Sequence, residues 1–366
     1  MSYPKEASVP SAKKSITMKK SALIFTGALF VLAVSALSFS MCKPGNAKGQ
    51  TAIADDSAAK KDTDVTKVVA PPVILDTALY NAMLVKNANG DSSGKWPVKG
   101  VYPKGGAIFP FKRVVAYYGN FYSKKMGVLG EYPENVVLEK LQGEIKKWQA
   151  ADTSMEVIPA IHYIAVTAQG SPGADGKYRL RMSSAQIDKA VTMAQKINAL
   201  VFIDIQVALS TLQAEVPQLE KYLKMPNVHF GIDPEFSMKT GAKPGTVIGT
   251  MDAEDINYVS DYLAKLVKAN NLPPKILVVH RFTQKMVTNY HQIKLRPEVQ
   301  VVMDMDGWGH QARKFNTYKQ FVYKEPVQFT GFKLFYKNDL REANSHVLTP
   351  AEVLKLKPQP IYIQYQ

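Results

Sequence analysis

Leu200–Gln206 reads LVFIDIQ, and Val228–Glu235 reads VHFGIDPE. Each stretch opens with β-branched and aromatic residues on both faces and ends in polar groups. Apolar runs without alternation are what parallel strands buried on both sides look like. Working outward, six more runs of this kind appear: Arg113–Tyr118, Glu156–Ala165, Lys275–Phe282, Val299–Asp306, Gly331–Tyr336 and Pro360–Gln364. Segments of helical period lie between them. Glu134–Gln149 follows the first strand, and Ser184–Asn198 follows the second, with Ser183 and Gln186 spaced as a capping box. Asp252–Asn270 follows the fourth, with Asp252 as its cap, and Thr349-Pro350 opens a last short helix. Strand–helix alternation implies right-handed crossovers and a parallel sheet. Eight strands over about 255 residues is the size of a (β/α)8 barrel of the TIM type. The eighth strand is not followed by a helix, and Leu75–Lys86 is expected to pack in the gap. An open doubly wound sheet is the rival, but no glycine-rich phosphate fingerprint follows the first strand.

The chain has 366 residues, 46% hydrophobic, 10% aromatic and 21% charged. That composition excludes wholesale disorder, collagen and a disulfide scaffold. The formal charge is +15. Residues 1–72 hold ten Lys or Arg against five Asp or Glu, so +10 remains on the other 294 residues. The charge is scattered and no nucleic-acid motif accompanies it, which reads as a solvated basic surface with no nucleic-acid partner.

Met18-Lys19-Lys20, an apolar run from Ala22 to Met41 and then Cys42 form an export signal: basic start, apolar core, processing site. Cys42 is the sole cysteine of the chain, so it has no internal disulfide partner. Three outcomes stay open for residues 1–42. Cys42 resembles the lipid-modified cysteine of bacterial lipoproteins, which implies lipidation; or cleavage after Ser40 releases the protein; or the apolar run remains as a membrane anchor, for which about 20 residues suffice. Residues 43–72, rich in Ala, Lys, Asp and Thr, read as a flexible tether, and residues 73–366 as the barrel domain. All three outcomes place the barrel outside the cytoplasm.

In such a barrel the active site forms at the C-terminal ends of the strands. There the sequence places Tyr117 and Tyr118, His162, Asp204 and Gln206, Asp233 and Glu235, His280 and Arg281, Asp304 and Asp306, Lys333 and Tyr336, and Gln364. Residues two apart on a strand share a face. Asp204 and Gln206, Asp233 and Glu235, and Asp304 and Asp306 are therefore expected to point inward together, with Ile203, Ile205 and Ile232 facing the helices. Each polar tip alone is explained by strand capping. Carboxylates converging from several strands are not, because burial of like charges demands protons, cations or a ligand.

Carboxylates at strand ends suit glycoside hydrolysis, where one acid protonates the leaving oxygen. The segment HFGIDPEF, residues 229–236, resembles the fourth-strand motif of chitinase-like glycoside hydrolases, which ends in Asp-x-Glu. The resemblance implies Glu235 as general acid and Asp233 as the residue that orients a substrate N-acetyl group. Tyr118, His162, Asp204, Gln206, His280, Asp304, Asp306 and Lys333 are the candidate substrate contacts, and Trp308 the candidate sugar platform. No cofactor is expected. A metal-dependent hydrolase is an alternative, since Asp204, Asp233, Glu235, Asp304 and His280 are hard-ligand types, although no compact metal motif is present. The remaining alternative is a non-catalytic envelope protein that binds a glycan in the same bowl. More broadly, VVAYYGN (114–120), IPAIHYIA (158–165), VFIDIQ (201–206), VVMDMDGWG (301–309) and FKLFYKND (332–339) are similar to bacterial exported or lipoprotein-type barrels without assigned activity.

Overall fold

A computed structural model describes residues 74–366. The export segment, Cys42 and the tether lie outside the described residues. Eight parallel strands form the body: β1 Lys112–Gly119, β2 Glu156–Ala168, β3 Leu200–Ile205, β4 Val228–Ile232, β5 Lys275–Arg281, β6 Val299–Met305, β7 Phe329–Leu334 and β8 Tyr362–Tyr365. Each pairs with its sequence neighbours, and β1 pairs with both β2 and β8, which closes the ring into a TIM-type barrel. Among the described residues, no helix is long and apolar enough to cross a membrane.

The alternation read from the sequence holds along the strands. Ile203, Ile205 and Ile232 lie in the outer apolar layer, against the helices. Val114, Ala116, Ala160, Phe202, Ile276, Val278, Val302 and Tyr362 fill the interior. Helix α1, Thr77–Asn87, precedes the barrel. Helix α2, Glu134–Ala151, buries Val137, Leu141, Glu144 and Trp148, a stripe of three- and four-residue steps. Helix α3 is Ser184–Gln195, α4 is Ala253–Ala269, α5 is Gln311–Tyr318 and α6 is Pro350–Val353. Asp252 and Thr349 both cap with a full capping box. Ser183 stands at the N-cap of α3, but its hydroxyl makes no cap bond, so the expected capping box does not form there.

Three further expectations are corrected. The helix before β1 does not replace the missing eighth helix. Its Met83 and Leu84 pack on the apolar cluster inside the barrel's N-terminal end, with Phe109, Val114, Met155 and Ile361. Gln300, pointing inward at the base of β6, ties this plug down: it accepts from the Ile108 and Phe109 amides at 3.0 and 3.1 Å and donates to the Phe109 carbonyl at 2.7 Å. The outer gap is closed by aromatic side chains instead. Tyr336 stacks on Tyr365 at 5.2 Å, its hydroxyl meets that of Tyr117 at 2.9 Å, and Trp148 donates to the Tyr365 hydroxyl at 3.0 Å. Tyr117 and Tyr336 thus belong to this outer seam, not to the bowl. The third correction concerns β4, which ends at Ile232. Pro234 has no N–H to continue the ladder, and Pro234–Phe236 turns as a 3-10 helix capped by Asp233.

Candidate active site

The strand tips surround a cavity of about 630 Å³ at the C-terminal end of the barrel. Tyr118, Gln206, Asp233, Glu235, Asp306, Trp308 and Lys333 line it. Phe236, Phe282 and Phe335 add aromatic wall, and Lys125 and Arg313 stand at its edge. His162, Asp204, His280 and Asp304 are absent from the lining. They form a layer directly beneath, each with no exposed surface. Of the candidate residues from the sequence, the described structure therefore gathers seven around the cavity and four under its floor.

The two carboxylates of the fourth strand reach the cavity through the turn, not through strand alternation. Asp233 Oδ1 accepts from the Glu235 amide at 3.0 Å, and Asp233 Oδ2 accepts from Gln206 Nε2 at 3.1 Å. Gln206 is fixed in turn by the Ala168 amide, which donates to its Oε1 at 3.1 Å. Burial pushes the Asp233 carboxyl up to about 7. Burial, with the neighbouring charges of Asp233 and Asp306, pushes Glu235 up to about 8. Near neutral pH the pair thus retains a proton, and Glu235 is the partly exposed member. A protonated carboxyl facing a cavity is a proton donor in waiting.

Lys333 supplies the main positive group of the floor. Its ammonium lies 2.8 Å from Asp306 Oδ1 and 3.9 Å above the centre of the Tyr118 ring. Although burial opposes it, the Lys333 and His280 charges hold Asp306 below the usual carboxylate range. Trp308 is 43% exposed, and the Arg341 guanidinium sits 5.4 Å from its ring centre.

The layer beneath is a continuous polar chain. The His162 Nδ1 contacts the Tyr362 hydroxyl at 2.5 Å and Gln364 Nε2 at 3.1 Å. Because the Gln364 amide donates, His162 carries its hydrogen on Nε2, which faces Asp204 Oδ2 at 3.3 Å. Asp204 Oδ2 also accepts from His280 Nε2 at 3.1 Å. Burial pushes His162 down to about 4, so it is neutral. Burial opposes the charge on Asp204, yet His280 and His162 hold it well below the ordinary range. His280 is moved the other way: against burial, the charges of Asp204 and Asp306 raise it well above an ordinary histidine. Burial pushes Asp304 up to about 6.

Two glycines make room for this layer. A Cβ on Gly231 would stand 2.7 Å from His162 Nε2 and 3.1 Å from Asp204 Oδ1. One on Gly331 would stand 2.5 Å from Asp304 Oδ1 and 3.0 Å from the Tyr362 ring. Tyr362, Gly231 and Gly331 were not among the sequence candidates. Their signal was available in the parity of their strands, since each shares a face with a candidate residue two positions away.

No family model matches the chain, and no curated protein matches it. Among solved structures it is weakly similar to a cellulase, at 13% identity and a TM-score of 0.36, over 60% of this chain and 65% of that one. A Bacillus subtilis mannanase is 11% identical with a TM-score of 0.37, over 81% of this chain and 88% of that one. A hyperthermophilic endo-β-1,4-glucanase in complex with substrate is 10% identical with a TM-score of 0.33, over 57% and 77%. Likeness at this level carries no chemistry to this chain, so the reading of the site rests on its geometry.

Proposed function

We propose that this barrel hydrolyses a carbohydrate, a cell-envelope glycan in particular, with Glu235 as general acid. The observation that carries the reading is the Asp233-Pro234-Glu235 turn. It presents a carboxyl that keeps its proton up to about pH 8 on the wall of an aromatic-rimmed cavity. Glu235 gives that proton to the glycosidic oxygen as the bond to the anomeric carbon breaks. Asp233, held by Gln206 and the Glu235 amide, faces the same space, and its role is to accept from an N-acetyl N–H of the sugar and aim the acetamide oxygen at the anomeric carbon. Lys333, Tyr118, Asp306 and Gln206 bind ring hydroxyls, and Trp308 offers a stacking face. His162, Asp204, His280 and Asp304 act from beneath, by fixing the floor.

Export and attachment form part of the proposal. They are supported by the basic start, the apolar run and Cys42 in the sequence. Lipid labelling that survives Cys42→Ser removes the lipid-anchor reading.

The activity test is a panel of envelope and plant glycans with native protein and Glu235→Gln. The proposal expects cleavage by the native protein, and a loss of about 10²–10⁴-fold in the variant with ligand affinity retained. Binding without cleavage by the native protein overturns the hydrolase in favour of a glycan-binding protein.

A further inference from the structure

The polar layer under the cavity contains more charge and more lone pairs than its hydrogen bonds employ. His280 Nδ1 lies 3.4 Å from Asp304 Oδ2 and 3.4 Å from Asp306 Oδ2. It aims between the two oxygens and hydrogen-bonds to neither. Both oxygens of Asp304 also lack a hydrogen-bond partner, although the residue has no exposed surface. A buried carboxylate with two idle oxygens beside an idle ring nitrogen is a costly arrangement unless something else converges on it.

The geometry points to a site for a first-row divalent cation held by His280 Nδ1, Asp304 and Asp306. Their donor atoms lie within 4.8 Å of one another. Metal–donor bonds of about 2.0–2.2 Å at tetrahedral angles set donors about 3.3–3.6 Å apart, and the two measured edges fall in that range. The other ring nitrogen of His280 donates to Asp204 at 3.1 Å. That carboxylate–histidine arrangement is the usual support behind a metal-binding imidazole, because it fixes the ring and leaves the opposite lone pair free.

Charge agrees with geometry. Once His280 Nδ1 gives up its proton on binding, the carboxylates of Asp204, Asp304 and Asp306 stand against the ammonium of Lys333, and a divalent ion takes the place of that proton. Lys333 takes Asp306 Oδ1 at 2.8 Å and leaves Oδ2 for the cation. Asp306 also lines the cavity, so the ion enters from there and keeps a face toward it. Binding displaces any proton on Nδ1 to water. A mixed imidazole–carboxylate set selects Zn²⁺, Mn²⁺ or Co²⁺ over Mg²⁺ and Ca²⁺. The inference stands apart from the glycan reading, since it concerns what the floor binds whether or not a sugar is cut.

The test uses full-length protein stripped with chelator and titrated with Zn²⁺, Mn²⁺, Co²⁺ and Mg²⁺ by calorimetry and thermal unfolding. One equivalent of Zn²⁺ or Mn²⁺ should bind and raise the unfolding temperature, and Co²⁺ should give visible absorption bands that vanish in His280→Gln. Asp204→Asn keeps all three ligands and removes only the support, so affinity should fall about 10–100-fold. Asp304→Asn should abolish binding; if that variant does not fold, Asp204→Asn decides alone. No saturable binding by the native protein overturns the inference and leaves a doubly protonated His280 between the aspartates. Unchanged affinity in Asp204→Asn overturns it as well, by placing the ion elsewhere.

Discussion

Replacing Glu235 by Gln keeps the shape of the cavity wall and removes a carboxyl whose ionisation the fold resists. In the folded protein this group titrates at about 8, against 4.5 for an unburied glutamate. Each pH unit of difference is worth about 1.4 kcal/mol, so ionising Glu235 within the fold costs at most about 5 kcal/mol. Water reaches part of the side chain and Asp233 shares the same titration range, so about 2–3 kcal/mol is the expected effect. The sign follows from linkage. A group whose pKa is raised by folding contributes stability that is complete below the unfolded value and is lost as pH rises through the folded value. Native protein should therefore lose stability between about pH 5 and 9 more steeply than Glu235→Gln. The two should match near pH 4, and the variant should be the more stable by about 2–3 kcal/mol at pH 9. Urea unfolding at constant ionic strength across this range measures the difference directly. Parallel stability curves for the two proteins would refute the claim that Glu235 keeps its proton in the folded cavity.

Other outcomes are expected from the same geometry. Gly231→Ala drives a methyl against His162 and Asp204 and should cost about 1–3 kcal/mol in urea unfolding. By contrast Gly143→Ala, within α2 and with open space at its Cβ, should stabilise by about 0.5–1 kcal/mol. Tyr362→Phe strips the hydroxyl that meets His162 and Gln364, and should destabilise by about 1–3 kcal/mol. Trp308→Ala should weaken binding of a neutral oligosaccharide by about tenfold while leaving the unfolding midpoint unchanged, if its ring is a sugar platform.

The barrel was legible because strands covered on both sides leave uninterrupted apolar runs, and eight of them fit the chain length. Parity then placed Ile203, Ile205 and Ile232 outward and the acids inward. Which acids see solvent was not legible. Tyr118 roofs His162 and His280 from another strand, and Tyr362 reaches His162 across 200 positions of sequence. Such layering depends on side-chain size around the ring and not on any one segment. Alternation predicts that Asp233 and Glu235 share the cavity, and they do, but Pro234 ends the strand at Ile232 and a 3-10 turn brings them there. The apolar residues of α1 form no single face, since Leu79 and Val85 are exposed while Met83 and Leu84 pack on the interior cluster, so its place emerged only with Phe109 and Gln300.

That plug has a directional consequence. Because α1 seals the N-terminal end of the ring, the described chain enters at the pole opposite the cavity. Ligand therefore reaches the Glu235 side of the ring without passing the pole at which the described chain begins.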